Sequence, residues 1–311
     1  MKSDYVRHTS SICDFSDSSS WVILSPIEQS IKRKIEAAGT PLKDWNISIY
    51  RGVLTGYNDA FFISSEKREE ILNNCLTEEE RDRTAGLIRP ILRGRDIKRY
   101  GYEFAGLYLI ATFPSMHYDI EDYPAVKDYL LSFGIERMEQ TGRKYIIDGQ
   151  QVISRKKTNN KWFETQDSIG YVEDFNKPKI VWAELARTGN AFSVDFSQHL
   201  VSNTGYILTV TGDDKNLLYY LLGILNSRII LYCLNQITSR FDENGWRWLR
   251  QFVEQLKVPT NTDIQKVSEL AKTTNRNNQL VNSEKINRIV AEIYGLNDEE
   301  QKYINDKLSG Y

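Results

Sequence analysis

Leu217-Leu-Tyr-Tyr-Leu-Leu-Gly-Ile-Leu-Asn-Ser-Arg-Ile-Ile-Leu-Tyr-Cys-Leu-Asn-Gln-Ile237 is apolar almost all round a helical wheel. Such a helix belongs in a protein core or a membrane. The polar step Asn226-Ser-Arg228 interrupts the run at its centre, whereas a span needs about 20 predominantly apolar residues. The pattern therefore predicts one long helix buried in protein. Thr238-Ser-Arg-Phe-Asp-Glu-Asn-Gly-Trp-Arg-Trp248 follows as a loop, and Leu249–Pro259 closes it as a short ramp. The loop sets Arg240 and Arg247 beside Trp246, Trp248 and a glycine. Cations next to flat aromatic rings suit a surface that meets nucleic acid.

Upstream of this helix the chain reads mainly as strands. Lys177-Pro-Lys-Ile-Val-Trp-Ala-Glu184 has the continuous apolar centre of a buried strand. Ala191–Val194 and Gly205–Val210 are further strands, with a turn at Arg187-Thr-Gly-Asn190 between the first two. Leu107–Ala111 is another. Asn46–Ser64 reads as strand, glycine loop, strand: either a hairpin with a bulge or a loop whose amides, with Arg51 and Asn58 at hand, meet an anion. No Gly-Lys-Ser/Thr follows, so it is not a P-loop. Ser25-Pro-Ile-Glu28 opens an amphipathic helix with a capping box. Two short capped helices follow Ser65 and Thr77, and Tyr123–Phe133 is a third. After Pro259, Gln265–Lys272 and Glu284–Tyr294 are amphipathic, and Asn297-Asp-Glu-Glu300 caps a last helix ending near Gly310.

The expected fold is α+β: a twisted, mainly antiparallel sheet packed on the long buried helix, followed by a helical tail. Residues 1–20 form a linker-like lead-in, residues 21–259 a recognition unit and residues 260–311 the tail. With 311 residues and 41% hydrophobic content the chain can bury a sizeable core. Its net charge is −2, so an anionic partner must be met by local patches. Cys13, Cys75 and Cys233 have no C-x-x-C spacing, and His8, His117 and His199 are scattered, so no metal site is suggested. No secretion signal or membrane span is read, and the reducing cytoplasm is the expected compartment.

Two basic stretches stand out. Leu87-Ile-Arg-Pro-Ile-Leu-Arg-Gly-Arg-Asp-Ile-Lys-Arg-Tyr100 carries Arg93, Arg95, Lys98 and Arg99 in a strand-turn setting. Ser154-Arg-Lys-Lys-Thr-Asn-Asn-Lys-Trp162 holds Arg155, Lys156, Lys157 and Lys161 with the amides of Asn159 and Asn160 and no acid. Either could be no more than a solvated face. Cations interleaved with amides and aromatics nevertheless make a better nucleic-acid signal than charge alone. No G-x-S-x-G, H-E-x-x-H or G-x-G-x-x-G occurs. Acid-x-Lys triplets at Asp96, Asp213 and Glu300 imitate part of a nuclease site but arise readily by chance. The chain is read as non-catalytic by itself, the alternatives being a nuclease with an unrecognised site or a protein-interaction module.

Together, Ile49-Tyr-Arg-Gly-Val-Leu-Thr-Gly-Tyr-Asn-Asp-Ala-Phe-Phe-Ile63, Ile91-Leu-Arg-Gly-Arg-Asp-Ile-Lys-Arg-Tyr100, Lys177-Pro-Lys-Ile-Val-Trp182, Leu221-Leu-Gly-Ile-Leu-Asn-Ser227 and Trp248–Pro259 resemble one family. It is the TaqI-like C-terminal specificity domain of type IIG restriction–modification enzymes and related DNA adenine methyltransferases. The resemblance runs over roughly residues 21–310. It implies sequence-specific recognition of double-stranded DNA beside a methyltransferase domain of the same polypeptide or complex. It implies no cofactor for this chain, S-adenosylmethionine and Mg2+ serving only the upstream domains. Phosphate contacts are expected from Arg93, Arg95, Lys98, Arg99 and residues 155–161, and base readout from the loops Arg155–Lys161, Arg187–Asn190 and Arg240–Trp248.

Overall fold

The computed structural model describes residues 24–187, 189–242, 245–260 and 264–309. The expected lead-in over residues 1–20 and the helix end near Gly310 lie outside them.

Lys179-Ile-Val-Trp-Ala183 runs through the middle of a four-stranded antiparallel sheet. Phe192–Asp195 pairs with one edge of it and Gly205–Val210 with the other, and Ile47–Arg51 lies beyond Gly205–Val210. Side chains alternate across a strand. Ile180, Trp182 and Leu208 therefore face one core, and Val181 and Ile207 face a second. Both faces are covered, which is why the sequence reads apolar without alternation.

The first core is helical and aromatic. Trp182 packs on Tyr206 and Phe192 with ring centroids 5.3 and 5.5 Å apart, and Phe192 stacks on Trp248 at 5.9 Å. The Trp182 indole N–H donates to the Trp248 carbonyl at 2.9 Å, so the one polar atom of this buried ring is satisfied. The second core lies under another sheet, ordered Leu200–Val201, Ile88–Leu92, Leu107–Ile110, Phe62–Ser64, with the first pair parallel. Ile47–Arg51 and Phe62–Ser64 thus belong to different sheets, and the glycine segment between them is a crossing, not a hairpin turn. Gly52 is needed there because a Cβ would lie 2.0 Å from the Ser202 carbonyl oxygen.

The apolar run 217–237 is helical and buried as the sequence predicts, but it is two helices. Lys215–Leu225 and Arg228–Ile237 meet at an angle of 68°. Asn226 and Ser227 at the break are fully buried, and side chains from elsewhere meet the backbone there. The Asn226 amide both donates to the Phe192 carbonyl (2.9 Å) and accepts from the Phe192 N–H (3.1 Å), as a neighbouring strand would. Asn190 donates to the carbonyls of Leu225 and Ser227, and Arg99 to that of Asn226. Ser227 caps the second helix through the Ile230 N–H. Among the described residues no single helix is long and apolar enough to cross a membrane.

The segment 238–248, expected to be a loop, forms strands Ser239–Asp242 and Gly245–Arg247, the latter pairing with Leu185–Ala186. The tail packs on the rest of the chain. Ile264–Thr273 lies against Lys215–Leu225, close enough that a Cβ at Gly223 would meet Val267 at 2.6 Å. Gln279–Ile293 and Asp298–Lys307 place Ile286, Val290 and Ile304 in the helical core. Glu300 ties the last helix to the first through Ser30 and Lys34, both at 2.7 Å.

Candidate nucleic-acid interface

One end of the central strand opens on a cleft of about 700 Å³. Three crossings converge on it: the segment after Arg51, the turn at Arg93-Gly-Arg95, and the polar turn Ser202-Asn-Thr204. They are stitched together by the backbone. The Asn203 N–H donates to Val53, the Ser202 N–H to Leu92, and the Gly94 N–H to the Thr204 hydroxyl at 2.9 Å. Phe62, Leu107 and Leu185 give the cleft apolar lining among its polar residues.

Carboxylates fix the arginines of this cleft. Glu184, at the end of the central strand, holds Arg51 at 2.8 Å and Arg247 at 3.5 Å. The Arg51 Nε also donates to the Asn203 carbonyl. Asp96 grips both arms of the Arg93 fork at 2.9 Å. Arg95 is exposed and makes no ion pair among the described residues. Asn58 accepts from the Thr55 hydroxyl at 2.7 Å, leaving its amide N–H2 turned to solvent. The cleft therefore offers guanidinium and amide donors whose directions are set in advance, the kind of donor that pairs with phosphate oxygens or base edges.

Residues 89–258, more than half of the chain, match the TaqI-like C-terminal specificity domain. The chain belongs to that family. In overall fold the specificity domain is similar to the type IIL restriction–modification enzyme MmeI, solved in complex with DNA, with a TM-score of 0.54 at 12% identity over 86% of this chain and 36% of that one. The type IIG restriction endonuclease BpuSI aligns with a TM-score of 0.49, again at 12% identity, over 86% of this chain and 32% of that one. This chain thus spans about a third of the length of either enzyme.

Of the residues predicted as DNA contacts, the specificity domain gathers Arg51, Asn58, Arg93 and Arg95 at the cleft, with Arg247 joined through Glu184. Lys156 is exposed next to Arg155. Burial holds the Asp167 carboxyl above its usual value, against the pull of Arg51, the Leu54 backbone and Lys156. Lys157, Asn159 and Lys161 are exposed on the same stretch, Lys161 over the Phe163 ring at 5.4 Å. Lys98 is exposed and donates to the Arg95 carbonyl. On the three-stranded sheet Arg247 opposes Leu185 and so shares its face, whereas Arg240 opposes Trp246 on the other. Arg240 lies 4.6 Å over the buried Trp246 ring, and Arg187 pairs with Asp242 at 2.6 Å above Phe241.

Five of the expected contact residues turn inward instead. Arg155 is 3% exposed and donates to the carbonyls of Thr55, Met138, Trp162 and Glu164. Asn190 is buried with its amide on the helix break, and Trp246 is buried against the helical core. Arg99 faces the same break, where burial lowers its pKa from the usual guanidinium value. Asn160 turns its amide inward to the carbonyls of Thr165 and Gln166, which leaves that side chain no free donor pair. The glycine-loop amides are likewise occupied: those of Gly52 and Val53 donate to Gly205 and Val201. Sequence reasoning missed Glu184 and Ser202-Asn-Thr204. A carboxylate immediately after a buried strand, and a polar turn between two strands, were the available signals. Among the described residues no three His, Cys, Asp or Glu side chains are placed to hold a metal ion.

Proposed function

We propose that this specificity domain is the target-recognition part of a restriction–modification enzyme and that it reads double-stranded DNA with the face around the Arg51–Arg95 cleft. The observation that carries the reading is the cleft itself, in which Glu184 and Asp96 aim three arginines along a rim that also presents Arg95 and Asn58. Membership of the family supports it. Arg95 is the reader, because Arg93 is held by Asp96 and both Arg51 and Arg247 by Glu184; Lys156 and Lys157 set the duplex in register through phosphates. In this reading methyl transfer from S-adenosylmethionine and Mg2+-dependent cleavage belong to parts of the parent enzyme outside this chain.

The test is selection of the full chain on a pool of random duplex DNA at two salt concentrations, followed by sequencing. Enrichment of one short motif that persists at the higher salt is expected, and Arg95→Ala should relax one position of it at a cost of about 1–3 kcal/mol. Binding without enrichment, lost steeply with salt, would reduce the domain to a non-specific clamp.

A further inference from the structure

Lys144–Ile147 and Gln150–Ile153 form a separate two-stranded antiparallel ribbon that contributes no side chain to either core. Asp148-Gly149 closes it with φ of 50° and 77°, the positive pair that a tight hairpin turn requires. The register sets Lys144 opposite Ile153 and Ile146 opposite Gln151. Those four side chains share one face, and all four are exposed, Ile146 by 73%. The opposite face turns to the body, where Tyr145 and Val152 are half-buried and the Tyr145 hydroxyl donates to Glu139 at 2.7 Å.

A lone hairpin is marginal in water, and here its base is anchored. The Ser154 N–H donates to Arg143 and the Arg155 N–H to Glu139, both at 2.9 Å. The buried Arg155 guanidinium then clamps this base to Thr55, three residues from Asn58 at the cleft. Around the base, Arg143, Lys144, Lys156 and Lys157 are exposed and make no ion pair among the described residues. The outer face therefore presents two isoleucines and an amide above a cationic base, on a hairpin anchored beside the cleft. Four exposed cations at its base, with no ion pair among the described residues, suit an anionic partner. A DNA duplex has an apolar and hydrogen-bonding groove between two rows of phosphates.

We propose that this ribbon enters the major groove of the same duplex and reads an A·T pair, with Gln151 on adenine and Ile146 on the thymine methyl. The major groove is wide enough for a two-stranded ribbon. A glutamine amide matches the acceptor N7 and donor N6 of adenine, and an apolar side chain can rest on the C5 methyl of thymine. The proposal rests on the target-recognition reading and adds a second reading element to it.

The test is the same duplex selection with the full chain, carried out for wild type, Gln151→Ala, Ile146→Ala and Arg95→Ala. Both ribbon positions are exposed, so the variants should melt like wild type. The expected result is an A·T position whose preference falls roughly tenfold in Gln151→Ala while other positions hold. Replacing thymine by uracil at that position should weaken wild type but leave Ile146→Ala unchanged. If Gln151→Ala and Ile146→Ala select the wild-type motif at full affinity while Arg95→Ala relaxes it, the ribbon proposal fails and the cleft reading stands. If wild type enriches no motif, both fail.

Discussion

Arg155 sits in the most basic stretch of the chain and is nevertheless among its most buried cations. Burial pulls its guanidinium down to about 10, so it stays charged at neutral pH, with donors on four backbone carbonyls. Arg155→Ala leaves those carbonyls unpaired in the interior and should cost roughly 3–5 kcal/mol. Arg155→Lys should recover little, because a point ammonium cannot reproduce the planar fork. A urea midpoint within error of wild type for either variant would refute this anchoring role. Asp195 offers a second case, between the buried Lys179 (2.6 Å) and His199 (3.0 Å). Burial pushes its carboxyl up, but the His199 hydrogen bond and Lys179 outweigh that and hold it well below the carboxylate range. A depressed pKa stabilises above the unfolded value of about 3.9 and loses that contribution as pH falls through the folded value. Asp195→Asn should therefore destabilise strongly at pH 7, by about 3 kcal/mol or more. The gap from wild type should narrow as pH drops below 4, which acid and urea titrations of the pair would read. Neither role was legible in the sequence, where a charge run cannot say which of its members turns inward.

At the scale of elements, Asn226-Ser227 shows how much periodicity can and cannot tell. The apolar wheel of 217–237 correctly placed the segment in the core, because burial depends on which residues are apolar and little on whether their axis is straight. The break depends on partners supplied from elsewhere: Phe192 on an edge strand, Asn190 on a turn, Arg99 after a basic run. Serine two residues after leucine and three before isoleucine was a local N-cap signal, visible only once the helix was allowed to restart. Ser227→Ala removes that cap and should cost about 1 kcal/mol, with the 68° bend kept by Asn190 and Asn226. Thermal unfolding should show the loss with unchanged helical circular dichroism; a midpoint no lower than that of wild type would mean that the cap bond contributes nothing. The strand Lys179–Ala183 and the capping boxes at Ser25 and Asn297 were legible for the opposite reason, since their signals are local. The segment 52–61 was not, because whether two strands pair with each other or with distant partners is set by the sheets, and no turn chemistry reports it.

Across the whole molecule, the net charge of −2 describes a sum that no partner meets. Acids cluster in first helical turns, at Glu78–Glu80 and Asp298–Glu300, where the helix dipole favours them. Exposed cations are spread more widely, and Arg95, Arg143, Lys144, Lys156 and Lys157 are the ones around the cleft and the ribbon base. The sequence found the cations but not the carboxylates that sort them, so it could not separate oriented arginines from phosphate-seeking lysines. Salt dependence separates them. Each phosphate contact to duplex DNA contributes about 0.9 to the slope of log affinity against log salt. The double variant Lys156→Ala, Lys157→Ala should lower that slope by about 2 and weaken all duplexes alike. Arg95→Ala should change motif preference more than slope. A titration of both variants against the selected duplex and a scrambled one tests the division directly. If the lysine variant keeps the wild-type slope, the patch beside the cleft does not touch the duplex backbone. The basic stretch 155–161 would then be an anchored corner of the fold with a solvated outer face, and recognition would rest on the cleft arginines and the ribbon alone.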